Sequence, residues 1–220
     1  MQRVRSIFTI LALSTILAAC SESTPPSQTA MAPAATVAPL SGPEIFSILI
    51  GGTPVGQLEA KHTAGNSQIE YEYRNNGRGP TISEKVSIGE NGLPTGWTIT
   101  GARTFGNKID EQFALNGGEA SWKDATGAAK TTLSEPSIYV AQDASPYAIG
   151  IYARALLADE DRSMPVLPGG TLRLDEIETM NVNGEGGEIP VTAYALSGID
   201  INPTYFLLDQ DGEFFAVIRT

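Results

Sequence analysis

Among 220 residues the sequence holds one histidine, His62, and one cysteine, Cys20. Metal-assisted hydrolysis needs several imidazole or thiolate ligands at fixed geometry, so no His/Cys metal site can be assembled from this set. Ser-His-Asp catalysis would have to take His62 as its base, yet no Gly-x-Ser-x-Gly elbow occurs. His62 lies in Glu59-Ala60-Lys61-His62-Thr63-Ala64-Gly65, which reads as the end of a strand and predicts an exposed side chain. Carboxylates are plentiful, at 25 Asp+Glu, but nothing in their spacing selects an acid/base pair. Asp209-x-Asp211-Gly212 has half of a calcium loop and lacks its distant glutamate, so a hairpin turn accounts for it. Asp159-Glu160-Asp161 reads as a solvated loop. Gly51-Gly52-Thr53-Pro54-Val55-Gly56 and Gly77-Arg78-Gly79-Pro80 are too interrupted by proline to cradle a phosphate at a helix start. The expectation is therefore a chain with no catalytic, cofactor-binding or metal-binding residues of its own.

The elements that would position any site begin after a distinct amino terminus. Met1 to Arg5 carries Arg3 and Arg5, the run Ile7 to Ala18 is apolar, and Leu17-Ala18-Ala19-Cys20 leads into the polar Ser21-Glu22-Ser23-Thr24. That is the three-part pattern of an export signal, and about a dozen apolar residues are too few for a spanning helix, which needs about 20. Leu-Ala-Ala-Cys resembles the lipobox of bacterial lipoproteins. The resemblance implies cleavage before Cys20 and lipid on its thiol and new amino terminus. A lone thiol in an exported chain has no internal disulfide partner, which agrees with lipidation. Two or more acyl chains would anchor it stably, at about 0.8 kcal/mol per buried methylene. Ser21 rather than aspartate after the cysteine implies, by the same resemblance, an outer-membrane lipoprotein facing the periplasm. Residues 1–19 are thus read as signal peptide.

Residues 20–43 are rich in Pro, Ala, Ser and Thr, with Pro25-Pro26, Pro33, Pro39 and Pro43, and read as an extended tether. Residues 44–220 are read as one β-rich domain. Lys and Arg number 14 against the 25 acids, for a net charge of −11. Phosphate backbones are bound by clustered Lys and Arg, and none cluster beyond the first five residues, so nucleic acid is not an expected partner.

From Glu44 the dominant period is two, the spacing of strands with one buried face. Phe46, Ile48 and Ile50 alternate, as do Ile69, Tyr71 and Tyr73, and then Val86 and Ile88. Asn and Gly turns at Glu90-Asn91-Gly92, Asn116-Gly117-Gly118 and Asn183-Gly184 predict antiparallel hairpins. One stretch departs from this rhythm. Ser145 to Ala158 opens with Ser-Pro, the residues of a helix cap and first helical position, and is apolar apart from Arg154. The predicted fold is mainly β: a curved antiparallel sheet, an open half-barrel, packed around one apolar α-helix. Tyr71, Tyr73, Trp97, Phe113, Trp122, Tyr147 and Tyr152 fall where they would line or fill the groove between sheet and helix. Aromatics on alternate strand positions are more often core, which favours filling.

An ordered set of local motifs carries a wider resemblance. Tyr71-x-Tyr73 with Gly77-Arg78-Gly79-Pro80, Thr98-Ile99-Thr100-Gly101, Asp110-Glu111-x-Phe113, Ala153-Arg154-Ala155-Leu156-Leu157, Leu167-Pro168-Gly169-Gly170 and Leu208-Asp209-x-Asp211-Gly212 occur in sequence between Ile45 and Ile218. Together they resemble the β-rich amino-terminal region of exported bacterial amidohydrolase-family proteins. That family's hydrolysis is carried by a downstream metal-dependent barrel. The sequence given ends at Thr220, before any such barrel, so no catalytic residue carries over. Three functional expectations follow. One is a lipid-anchored, non-catalytic envelope module that accompanies an amidohydrolase-type barrel in cis or in trans. Another is a free-standing lipoprotein that takes an apolar ligand or lipid in the half-barrel groove. The third is a scaffold that pairs with another protein through a sheet edge.

Overall fold

A computed structural model of the chain describes residues 42–184 and 186–218. Cys20, the signal segment and nearly all of the expected tether lie outside the described residues. Strands β1 Gly42–Ile50, β2 Thr53–Thr63, β3 Asn66–Tyr73, β4 Thr81–Ile88, β5 Pro94–Ala102, β6 Lys108–Asn116, β7 Glu119–Asp124 and β8 Gly127–Thr132 form an eight-stranded antiparallel meander in chain order. A short strand, β9 Ile138–Tyr139, then leads into the helix α1 Ala148–Leu157. Strands β10 Ser163–Leu167, β11 Thr171–Gly184, β12 Gly187–Ser197, β13 Thr204–Asp209 and β14 Phe214–Ile218 follow. With β9 they make a six-stranded sheet in the order β14-β13-β12-β11-β10-β9. The fold is mainly β, a curled half-barrel around one helix, as the patterning leads one to expect.

One pairing departs from the hairpin rule. Strand β9 runs parallel to β10, with Ile138 opposite Val166 and Tyr139 opposite Leu167. Parallel neighbours need a crossover, and α1 supplies it between them.

Strand register explains how the larger sheet builds its inner face. Phe46, Leu58, Tyr71 and Ile82 lie side by side across β1 to β4. His62, Ser67, Val86, Trp97, Phe113 and Trp122 form another row across β2 to β7. The row between them reads Glu44, Ala60, Ile69, Glu84, Ile99, Glu111. Alternation puts all three rows on one face. Strand β5 passes close to β4 at Gly101, where φ is +132° and any Cβ would stand 2.0 Å from the Thr81 carbonyl oxygen. Only glycine fits there.

The helix is buried on nearly every side, from Ala148 through Ala153 and again at Ala155 and Leu156. A helix apolar all round belongs inside a protein, and this one fills the half-barrel. It starts later than Ser145-Pro146 predicts. The N–H groups of Ala148 and Ile149 donate to the carbonyls of Ser145 and Pro146 in tight i to i+3 turns, and Tyr147 holds the cap position. Ser145 stands outside the helix because its own N–H is held by Glu84.

Candidate functional site

The row of three glutamates meets the segment that leads from β9 into α1. Glu111 accepts the Tyr139 hydroxyl at 2.7 Å and the backbone N–H groups of Gln142 and Asp143 at 2.9 Å each. Glu84 accepts the Ser145 N–H at 2.7 Å and the Trp97 indole N–H at 2.8 Å. Glu44 accepts the Tyr147 hydroxyl at 2.8 Å. Residues 139–147 therefore cross the sheet from β6 to β1 along a ladder of carboxylates. Glu84 and Glu111 are each 1% exposed. Burial raises the pKa of Glu84 above the usual carboxylate range, against the opposing pull of its Ser145 and Trp97 hydrogen bonds.

At the β1 end the ladder meets His62. Its Nδ1 lies 2.8 Å from Ser67 Oγ and its Nε2 lies 3.0 Å from the Tyr147 hydroxyl. One assignment satisfies every group: Ser67 donates to Nδ1, Nε2–H donates to the Tyr147 oxygen, and Tyr147 donates to Glu44. Burial works to raise the Glu44 pKa, but the His62 and Tyr147 hydrogen bonds and the nearby Arg154 outweigh it and hold the carboxyl below its ordinary value. The Tyr147 hydroxyl is pushed up by its burial and by the Glu44 charge. Arg154 of α1 pairs with Glu213 in the β13–β14 turn beside this cluster.

His62 is thus buried, not exposed at a strand end as its sequence context predicts. The alternation Leu58-x-Ala60-x-His62 continues through the end of β2 and turns the imidazole inward. That pattern was present in the sequence, and so was the unbroken alternation that buries Glu84 and Glu111. Their polarity masked it. A carboxylate at an inward strand position is legible only once the backbone donors of another segment are placed against it.

Of the residues expected at the sheet–helix groove, Trp97, Phe113, Tyr147 and Tyr152 are fully packed. Trp97 and Tyr152 bring their rings 6.0 Å apart, and Phe113 stacks on Tyr139 at 4.5 Å. Tyr71, Tyr73 and Trp122 are half-buried, with Tyr71 and Trp122 against the core and Tyr73 edge-on to Tyr71. These side chains pack into the space between sheet and helix. Among the described residues no buried side-chain nitrogen or oxygen lacks a hydrogen-bond partner. The turn at Asp209 is a hairpin, with Asp209 Oδ1 accepting the N–H groups of Asp211 and Glu213.

Phe113 and Trp122 border a shallow concavity of about 600 Å³ over β5 to β8, and a groove of about 1060 Å³ lies between residues 140–152 and the β12–β13 connection. Ile149 and Tyr152 contribute to one wall; Ile199, Ile201, Tyr205 and Ile218 contribute to the other. Sequence reasoning placed no site here, because Ile199 and Ile201 sit in a polar-looking turn, Gly198-Ile199-Asp200-Ile201-Asn202-Pro203.

Among the described residues no group of three or more His, Cys, Asp or Glu is placed to hold a metal ion. No described helix is long and apolar enough to cross a membrane. No protein-family model matches the chain, and no curated protein does. Among solved structures, a DUF1089 family protein from Pseudomonas aeruginosa is similar over 81% of this chain and 90% of that one. The identity is 11% and the TM-score 0.37, a likeness too slight to carry weight for fold or function.

Proposed function

We propose that this chain is a lipid-anchored, non-catalytic module of the cell envelope, exported and held at the outer membrane through Cys20, that accompanies an amidohydrolase-type barrel. The observation that carries the non-catalytic part is the filled half-barrel: α1 occupies it, and Glu84 and Glu111 are engaged with backbone and ring donors. Groups tied up in this way are unavailable as general acids or bases without unfolding the segment they hold. The lipobox-like Leu17-Ala18-Ala19-Cys20 supports the anchor, and the motif order between Ile45 and Ile218 supports the barrel as partner.

Two measurements test the reading. The purified chain, incubated with amide and ester substrates with and without added zinc, is expected to give no turnover above buffer; chelator-sensitive turnover would overturn it. The DNA downstream of the codon for Thr220, or the adjacent frame, is expected to encode a histidine-rich barrel, and its absence from both would remove the proposed partner.

A further inference from the structure

The eight-stranded meander has two ends of opposite character. The turns after β1, β3 and β5 lie together at one end, and those after β2, β4 and β6 at the other. Residues 49–52, 74–80 and 103–108 at the first end hold Arg74, Arg78, Arg103 and Lys108 and no carboxylate. Residues 63–66, 89–93 and 116–119 at the second hold Glu90 and Glu119 and no Lys or Arg. The cations of the first end are scattered in sequence, and the alternation of strand direction gathers them.

Large apolar side chains stand in solvent at the same end: Phe105 is 78% exposed, Leu49 58% and Ile50 40%. Phe105 tips the β5–β6 turn, and the Arg78 guanidinium lies 5.8 Å from its ring centroid, which joins two of the turns. Arg74 pairs with Glu72 and Arg103 with Asp143. Arg78 and Lys108 form no ion pair among the described residues, and the carboxylate nearest Lys108, that of Asp110, is taken by Lys123. Successive turns at one end stand two strands apart, about 10 Å. Separate convex tips suit a fluid surface that closes around each one; a globular partner would have to supply a complementary face. Charge selects the surface. A chain of net charge −11 is repelled by an anionic bilayer unless its cationic end faces it.

We infer that this end of the sheet docks on an anionic bilayer surface, with Phe105, Leu49 and Ile50 entering the headgroup region and Arg78 and Lys108 against lipid phosphates. The inference deepens the proposed function and rests on its reading of a chain held at a membrane. Strand β1 enters from the opposite end, but its 9 residues rise about 30 Å, and residues 21–41 can span up to about 70 Å, so lipid on Cys20 does not oppose this orientation.

The test uses the full chain in phosphatidylcholine vesicles with and without phosphatidylglycerol, each holding a trace of phospholipid with a photoactivatable group near the top of its acyl chain. Peptide mass spectrometry then locates the cross-links. They are expected on residues 49–52, 74–80 and 103–108, not on the opposite turns, and in higher yield with phosphatidylglycerol. In those vesicles Arg78→Gln should lower the yield at 103–108 about fivefold, the factor that corresponds to about 1 kcal/mol for one lost cation. Phe105→Ser should remove the cross-links from 103–108, and Glu90→Gln should change nothing. Arg78, Glu90 and Phe105 are exposed, so none of these substitutions disturbs the fold, and unchanged circular dichroism verifies that. Equal labelling of the opposite turns, or a yield that neither phosphatidylglycerol nor Arg78→Gln alters, would overturn the inference. The same digest reads the mass of Cys20. Lipidated Cys20 with evenly spread cross-links would overturn the docking and leave the anchor standing, whereas unmodified Cys20 with cross-links confined to the three turns would do the reverse.

Discussion

The Tyr147 hydroxyl donates to Glu44 Oε2 at 2.8 Å, joining the first strand to the start of the helix across 103 positions of sequence. Among the described residues strand β1 is an edge strand, paired with β2, and its outer face leaves Ile45 and Leu49 exposed. Its attachment to the rest of the fold depends on what its inner face meets: Phe46 packs on Tyr147 and Phe214, and Glu44 closes the hydrogen-bond chain through Tyr147. Removing the hydroxyl with Tyr147→Phe deprives both Glu44 and His62 of a partner. The expected cost is about 1–3 kcal/mol in urea unfolding. No change would mean that water replaces the hydroxyl without penalty.

The same chain makes stability depend on acid. Glu44 titrates below its ordinary value in the folded protein, so its contribution is present above the ordinary glutamate range and is lost as pH falls through the lowered folded pKa. Tyr147→Phe should weaken this acid sensitivity, read as a shallower fall in the urea midpoint below about pH 5. A fall of unaltered steepness would assign the acid response to other carboxylates.

Glu84 has the opposite sign. Its folded pKa lies above the unfolded value, so its contribution is complete below the ordinary glutamate range near 4.5 and declines as pH rises through the raised folded pKa. Glu84→Gln, which stays neutral throughout, should flatten the fall of stability with rising pH above about pH 5 relative to the parent. An unchanged slope in that window would contradict the assignment.

Glu111 holds three donors. Replacing it by alanine leaves the buried Tyr139 hydroxyl and the part-buried N–H groups of Gln142 and Asp143 without this partner, which should cost about 2–3 kcal/mol. Glu119→Ala is the control: Glu119 is exposed and among the described residues pairs with the exposed Lys130, so about 0.5 kcal/mol or less is expected. Comparable effects at the two positions would show that the ladder does not carry the segment.

Gly150 gives a test of packing against propensity. Alanine there favours an isolated helix by about 1 kcal/mol. In this fold its Cβ would stand 2.7 Å from the Phe214 Cβ, where neither backbone can yield easily. Overpacking of that kind costs about 1–3 kcal/mol, so Gly150→Ala should lower Tm, and a higher Tm would contradict the packing of α1 on β14.

Much of this architecture was legible in the sequence. The alternation at Ile69, Tyr71 and Tyr73 and at Val86 and Ile88 marked strands with one buried face, and the all-round apolarity of 145–158 marked α1. The ladder was not legible. Glu84 and Glu111 share the phase of the inward Ile82, Val86, Ile109 and Phe113, whereas Glu70 and Glu72 fall out of phase with Ile69 and Tyr71; what no local pattern shows is the path of residues 139–147, whose donors satisfy the two carboxylates across tens of residues. His62 misled for the same reason, since its partners come from β3, α1 and β1. The parallel pairing of β9 escaped because a two-residue strand has no period to read.

The central claim is that the glutamate ladder fixes residues 139–147 and α1 inside the half-barrel, so that the interior is structure and not a chamber. Native-state hydrogen exchange at the amides of Gln142, Asp143 and Ser145 tests it most directly. The account predicts that all three exchange only through global unfolding, with the same free energy as the amides of β4 and β6. Exchange of these three by local opening, far faster than the strands beneath them, would contradict it.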